Sequence, residues 1–75
     1  LLGNYPQSLA VLQRLLAEYP QDPKAPTAML RLGTVYSEMG DRARAVDYWQ
    51  RIRQSYPDST SEIEIANEYL GELGL

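Results

Sequence analysis

The sequence contains neither cysteine nor histidine. Without cysteine there is no disulfide and no thiolate metal site. Without histidine the commonest general base and metal ligand is missing as well. A cysteine-free chain suits cytoplasm and periplasm alike, so composition leaves the compartment open. Positive charge is also scarce: 7 Lys and Arg stand against 10 Asp and Glu, a net charge of −3. That balance argues against a nucleic-acid partner, whose phosphates select a basic face. No apolar run approaches the ~20 residues of a membrane span, so direct membrane insertion by this segment is not expected. No signal peptide is visible. No strand pattern is present, and no glycine-rich phosphate loop follows one. The chain opens without Met and in mid-pattern, which reads as a piece of a longer protein. Its 75 residues make one domain at most, and a chain this short buries only part of its surface.

What the sequence does have is helical periodicity, interrupted by Pro and Gly. The stretch from Pro26 to Pro57 organises the rest. Ala28, Met29, Leu32, Gly33 and Tyr36 form one apolar stripe, and Gly40 ends that helix as a C-cap. Asp41 caps the next helix, whose apolar face is Ala45, Val46, Trp49, Ile52 and Tyr56. Gly33 and Ala45 are the small residues that let the two helices touch. Upstream, Gly3-Asn4 is a turn signal, and Pro6 fits the first turn of a helix carrying Leu9, Leu12, Leu15, Leu16 and Tyr19. Asp22 with Pro23 reads as the N-cap and first position of the second helix, with a looser turn up to Pro26. Downstream, Ser59 with Glu62, or Ser61 with Glu64, forms a capping box ahead of Ile63, Ala66, Tyr69, Leu70 and Leu73. Gly71 weakens this last helix. The pattern predicts an all-α fold of four antiparallel helices near residues 6–19, 23–39, 42–55 and 60–72. The expected core is Leu12, Leu15, Leu16, Met29, Leu32, Gly33, Tyr36, Ala45, Trp49, Ile52, Ala66 and Leu70.

A shift of 37 residues lays the chain on itself. Gly3 meets Gly40, Gln13-Arg14 meets Gln50-Arg51, Leu12 meets Trp49, Leu15 meets Ile52, and Tyr19-Pro20 meets Tyr56-Pro57. A helix-turn-helix repeat in this range indicates a solenoid, whose units bury their apolar faces only by stacking. By the same shift Leu70 stands in Gly33's place, so the last helix reads as a cap.

These residues also carry a family resemblance. Met29, Leu32, Gly33, Tyr36, Ala45, Trp49, Ile52 and Pro57 fall at the spacings of the tetratricopeptide repeat (TPR). Leu32-Gly33, Tyr36, Ala45 and Pro57 match the family's residue types, while Met29, Trp49 and Ile52 replace its usual Trp, Phe and Ala. The resemblance divides the chain into the second helix of a preceding repeat (1–20), one complete repeat (21–57) and a capping helix (58–75). The longer period places three extra residues in the Pro-rich turn. The Tyr-Pro turns followed by Lys24-Ala25-Pro26 resemble bacterial cell-envelope members. These include the TolA-binding protein of the Tol-Pal system and the outer-membrane assembly lipoproteins. The resemblance implies a right-handed superhelical stack and a non-enzymatic protein-protein interaction scaffold, with no cofactor. It also implies the periplasm or cell envelope of a Gram-negative bacterium, the cytoplasm being the alternative.

In this family the first helix of each repeat lines the concave face. Carried onto this chain, that face shows Thr27, Leu30, Arg31, Thr34, Ser37 and Glu38, then Glu64, Asn67 and Glu68 from the last helix. A protein or peptide partner is expected there. Some members grip a peptide carboxylate with Lys and Asn on this face, but Leu30 and Thr34 occupy the corresponding places here. Trp49, on the stripe with Ala45 and Ile52, reads as a core aromatic. Tyr19, Tyr36 and Tyr56 fall at packing positions, and Tyr48 is the better exposed contact. Arg42, Arg44, Arg51 and Arg53 crowd one helix, and Asp58, Glu62, Glu64, Glu68 and Glu72 crowd the last segment. Either patch could dock an opposite charge or serve solvation alone. Glu64 and Glu68 stand one helical turn apart, but two carboxylates without a third ligand make a weak metal site. No catalytic residue is predicted. The alternative function is a structural spacer or a self-associating, homo-oligomeric segment, motivated by the apolar edge at Leu1, Leu2 and Leu9.

Overall fold

A computed structural model describes residues 5–75. The expected Gly3-Asn4 turn and the edge at Leu1 and Leu2 lie outside the described residues. Four helices follow one another: α1 (Tyr5–Glu18), α2 (Ala25–Glu38), α3 (Arg42–Ser55) and α4 (Thr60–Glu72). No strand occurs among the described residues. The helices form a slab of 33 × 32 × 17 Å in which α2 packs on α1 and α3, α4 packs on α3, and α2 reaches α4. Among the described elements α1 touches α2 alone.

Local chemistry explains most helix boundaries. Gly40 takes φ +86°, which a Cβ would strain, and a Schellman motif closes α2 around it. Its two hydrogen bonds run from Gly40 N to Ser37 O at 3.0 Å and from Asp41 N to Tyr36 O at 2.8 Å. The same motif closes α4 at Gly74 (φ +83°), with Gly74 N on Gly71 O and Leu75 N on Leu70 O, both at 3.0 Å. Asp41 caps α3 by accepting from Arg44 N at 3.2 Å. Its other oxygen meets Arg44 Nη1 at 2.5 Å, and these two hydrogen bonds hold its carboxyl below the usual carboxylate range.

Two starts differ from expectation. Asp22 does not cap α2: its carboxylate accepts from Lys24 N at 2.8 Å, closing a local turn two residues on. Helix α2 therefore begins at Ala25, with Lys24 as N-cap and Pro26 in the first turn, where its missing N–H is no loss. No capping box forms on α4. Ser59 occupies the N-cap without a side-chain bond, and Glu62 instead accepts from Thr27 Oγ1 at 3.1 Å, tying α4 to α2.

The core lies between α2, α3 and α4. Ala25, Ala28, Met29, Leu32, Val35, Ala45, Trp49, Ile52, Ala66 and Leu70 are buried, and Leu32 and Ile52 fully so. Gly33 lies flat against the Trp49 indole. A Cβ there would come within 2.5 Å of Cδ1 and 2.8 Å of Cε2. Absence of that Cβ is what allows the α2–α3 crossing. The indole N–H is satisfied by Leu30 O at 3.2 Å. Leu12, Leu15 and Leu16 were expected in the core but are only half-buried; among the described elements α1 packs on α2 alone. Tyr36 is half-buried too, its hydroxyl accepting from Gln13 Nε2 at 3.2 Å. Tyr19 is 58% exposed rather than packed. Tyr56 is half-buried and donates to Pro20 O at 2.9 Å, which joins α3 to the α1–α2 turn.

Candidate functional site: a groove along helix α2

The exposed side of α2 presents Thr27, Arg31, Thr34, Ser37 and Glu38, spaced so that successive helical turns stack them in one row. Two adjoining depressions run along this row. The first, of about 240 Å³, is lined by Thr27, Leu30, Arg31, Thr34 and Tyr69. The second, of about 210 Å³, is lined by Thr34, Ser37, Glu38, Trp49, Tyr69, Glu72 and Leu73. Thr34 and Tyr69 belong to both, so the two form one groove between α2 and α4. Its floor is aromatic: Trp49 and Tyr69 stand with ring centroids 5.0 Å apart, tilted by 48°. Thr34 is quiet as a donor, since its hydroxyl already bonds Leu30 O at 3.2 Å.

All six α2 residues of the expected concave face therefore line this groove. The three from α4 do not. Glu64, Asn67 and Glu68 are exposed and line no described cavity, whereas Tyr69, Glu72 and Leu73 do. Burial of Ala66 and Leu70 against α3 sets how α4 is turned about its axis. That turn carries Glu62 and Tyr69 towards α2 and Glu64 and Glu68 away. The paired Schellman glycines would have revealed the register. With Gly74 laid on Gly40, Asn67 falls on Gly33 and Leu70 on Tyr36, not Leu70 on Gly33 as the longer shift had it.

The basic patch is largely engaged within the chain. Arg44 pairs with Asp41, Arg51 pairs with Asp47, and Arg42 donates to Leu73 O at 2.6 Å. Salt-bridge partners raise the pKa of Arg44 and Arg51 above the ordinary guanidinium value. Tyr48, expected as an exposed contact, is half-buried. It stacks on Tyr36 at 5.6 Å and lies under the Arg51 guanidinium at 4.6 Å. Glu64 and Glu68 find no third ligand, and no group of three metal-ligating side chains occurs among the described residues. No described helix is long and apolar enough to cross a membrane.

The antiparallel α2–α3 pair closes on Gly33, as expected, with the Trp49 indole as the group it meets. A profile of the tetratricopeptide repeat matches residues 1–22 and 27–59. The chain belongs to the tetratricopeptide repeat family. No curated protein and no solved structure matches it. Repeats of this family generally mediate protein-protein interaction and are typically non-enzymatic scaffolds. A TPR unit works by holding helices rigidly, so that a surface built from several of them keeps its shape without a partner. The groove on α2 has the α3 indole and the α4 phenol in its lining.

Proposed function

We propose that this TPR segment is a non-enzymatic scaffold that presents the α2–α4 groove to a peptide or protein partner in a bacterial cell-envelope complex. The carrying observation is the continuous groove, lined by small hydroxyl residues over Trp49 and Tyr69. An exposed helix face with an aromatic floor suits an extended or helical peptide, and it needs no rearrangement of its own backbone. The envelope setting, periplasmic in a Gram-negative cell, is supported by the Tyr19-Pro20 and Tyr56-Pro57 turns and their likeness to envelope members such as those of the Tol-Pal system. In this reading residues 1–20 complete a preceding repeat, 21–57 form a whole repeat, and 58–75 form a capping helix.

The test is capture from envelope extract by the chain beside a variant carrying Thr34→Arg and Ser37→Arg. These positions line the groove without belonging to the buried core. A specific partner held by the parent and lost by a variant of unchanged thermal melt supports the reading. Equal capture by both removes the groove from the interaction.

A second reading, a spacer or self-associating segment, is favoured by one observation. Helix α1 buries no residue, and its Val11 is 68% exposed. Sedimentation separates the two: association that disappears in Val11→Glu points to self-assembly, and a clean monomer opposes it.

A further inference from the structure

The deeper half of the groove has a chemistry of its own, which rests on the scaffold reading and narrows it. Glu38 is the last residue of α2 and Glu72 the last of α4, and both line the same cavity. The cavity thus sits between two helix C-termini. Each carries the negative end of a helix dipole, which favours a cation. Neither helix has a basic residue in its last turn. Among the described residues neither Glu38 nor Glu72 makes an ion pair. No Lys or Arg lines the cavity, and the nearby Arg42 guanidinium donates to Leu73 O at 2.6 Å, so it already serves the C-terminus of α4. The Trp49 and Tyr69 rings line the same cavity.

We propose that this cavity binds the cationic side chain, lysine or arginine, of a partner peptide segment. Its aliphatic stem lies over Trp49, Tyr69 and Leu73, and its charge lies between Glu38 and Glu72. Three effects favour a cation there: two unpaired carboxylates, the C-terminus of α2 and the half-buried Tyr69 ring. A divalent metal fits less well, because two carboxylates over an apolar floor leave most of its coordination unmet. The acidic character extends along the neighbouring helix, since α4 holds Glu62, Glu64, Glu68 and Glu72 and no base. That field would steer a basic segment toward the groove.

Trp49 is the single Trp, so its fluorescence reports this cavity directly. The 75-residue chain is titrated with a lysine octapeptide, with the same peptide acetylated on every side chain, and with a glutamate octapeptide. The lysine probe should shift Trp49 emission saturably, and the other two should not. Glu38→Gln with Glu72→Gln should weaken the lysine probe about tenfold, the effect of losing charge-assisted contacts in a partly desolvated site. Glu64→Gln with Glu68→Gln changes net charge equally but lies outside the cavity, and should weaken it by less than about twofold. A silent Trp49, or equal weakening by both double variants, overturns the proposal. If Trp49 is silent while Thr34→Arg with Ser37→Arg still abolishes partner capture, the cation assignment falls and the scaffold stands. If capture ignores the groove, the scaffold reading itself falls.

Discussion

Helices α1 and α3 hold corresponding places in the 37-residue repeat. Each has fourteen residues, each carries Gln-Arg at the same place, and each is followed by Tyr-Pro. Yet α3 buries Ala45, Trp49 and Ile52, while α1 buries nothing. The difference lies in their surroundings. Helix α3 is held between α2 and α4, and α1 leans on α2 alone. A stripe of apolar residues at helical spacing states which side of a helix is apolar. It does not state how many neighbours will cover that side. In a solenoid, coverage comes from stacking, so the same pattern yields a core helix in one place and a half-wet one in another.

Breaking the comparison begins with matched truncations. Ile52 is fully buried and Leu15, its counterpart in α1, is half-buried. Ile52→Ala should lower stability by about 3 kcal/mol, and Leu15→Ala by about 1 kcal/mol, read as urea midpoints at constant slope. Equal losses would mean that α1 is packed as tightly as α3. Next comes the crossing that α1 lacks. Gly33→Leu should destabilise by more than about 2 kcal/mol, because Trp49 already occupies the space of a Cβ. A shift of Trp49 emission to longer wavelength should accompany it; a wild-type melt would misplace the crossing.

A smaller effect separates the two helix starts by pH. Arg44 and its backbone N–H hold the Asp41 carboxyl below its ordinary value in the folded chain. The stability this contributes is therefore present above the unfolded value of about 3.9 and is lost as pH falls through the lower folded value. Asp41→Asn should flatten the acid limb of a melting curve below about pH 4 and leave its shape near neutrality alone. An unchanged acid limb would remove Asp41 from it. The least effect belongs to the exposed Asp47–Arg51 pair on α3. Asp47→Asn should change stability by less than ~0.5 kcal/mol, and that little should vanish in high salt. A larger loss would show that the Arg51 guanidinium over Tyr48 depends on its carboxylate partner.

Much of this was legible beforehand, and the reasons are local. Helices α3 (Arg42–Ser55) and α4 (Thr60–Glu72) match the expected spans, with Asp41 capping α3 as read, while the C-cap at Gly74 was not foreseen. The start of α2 was misread because Asp22 can cap a helix or close a turn with equal ease, and two prolines follow it. Glu62 was read as half of a capping box, yet its carboxylate found Thr27 on another helix. The α2 side of the groove follows from the family resemblance, which places the first helix of a repeat on the concave face. The α4 side does not, and Tyr69, Glu72 and Leu73 replaced Glu64, Asn67 and Glu68 along it.

The sequence by itself determined four helices, most of their ends, their apolar sides and Gly33 as a small residue at the α2–α3 contact. Those depend on neighbours within a few residues, or on a glycine at family spacing. Only the tertiary structure decided how deeply each apolar stripe is covered and that Glu38 and Glu72 line one cavity with Trp49 and Tyr69. Successive residues point about 100° apart around a helix, so a small rotation exchanges one row of side chains for the next. That rotation is set by what Ala66 and Leu70 find on α3, a contact between residues distant in the chain.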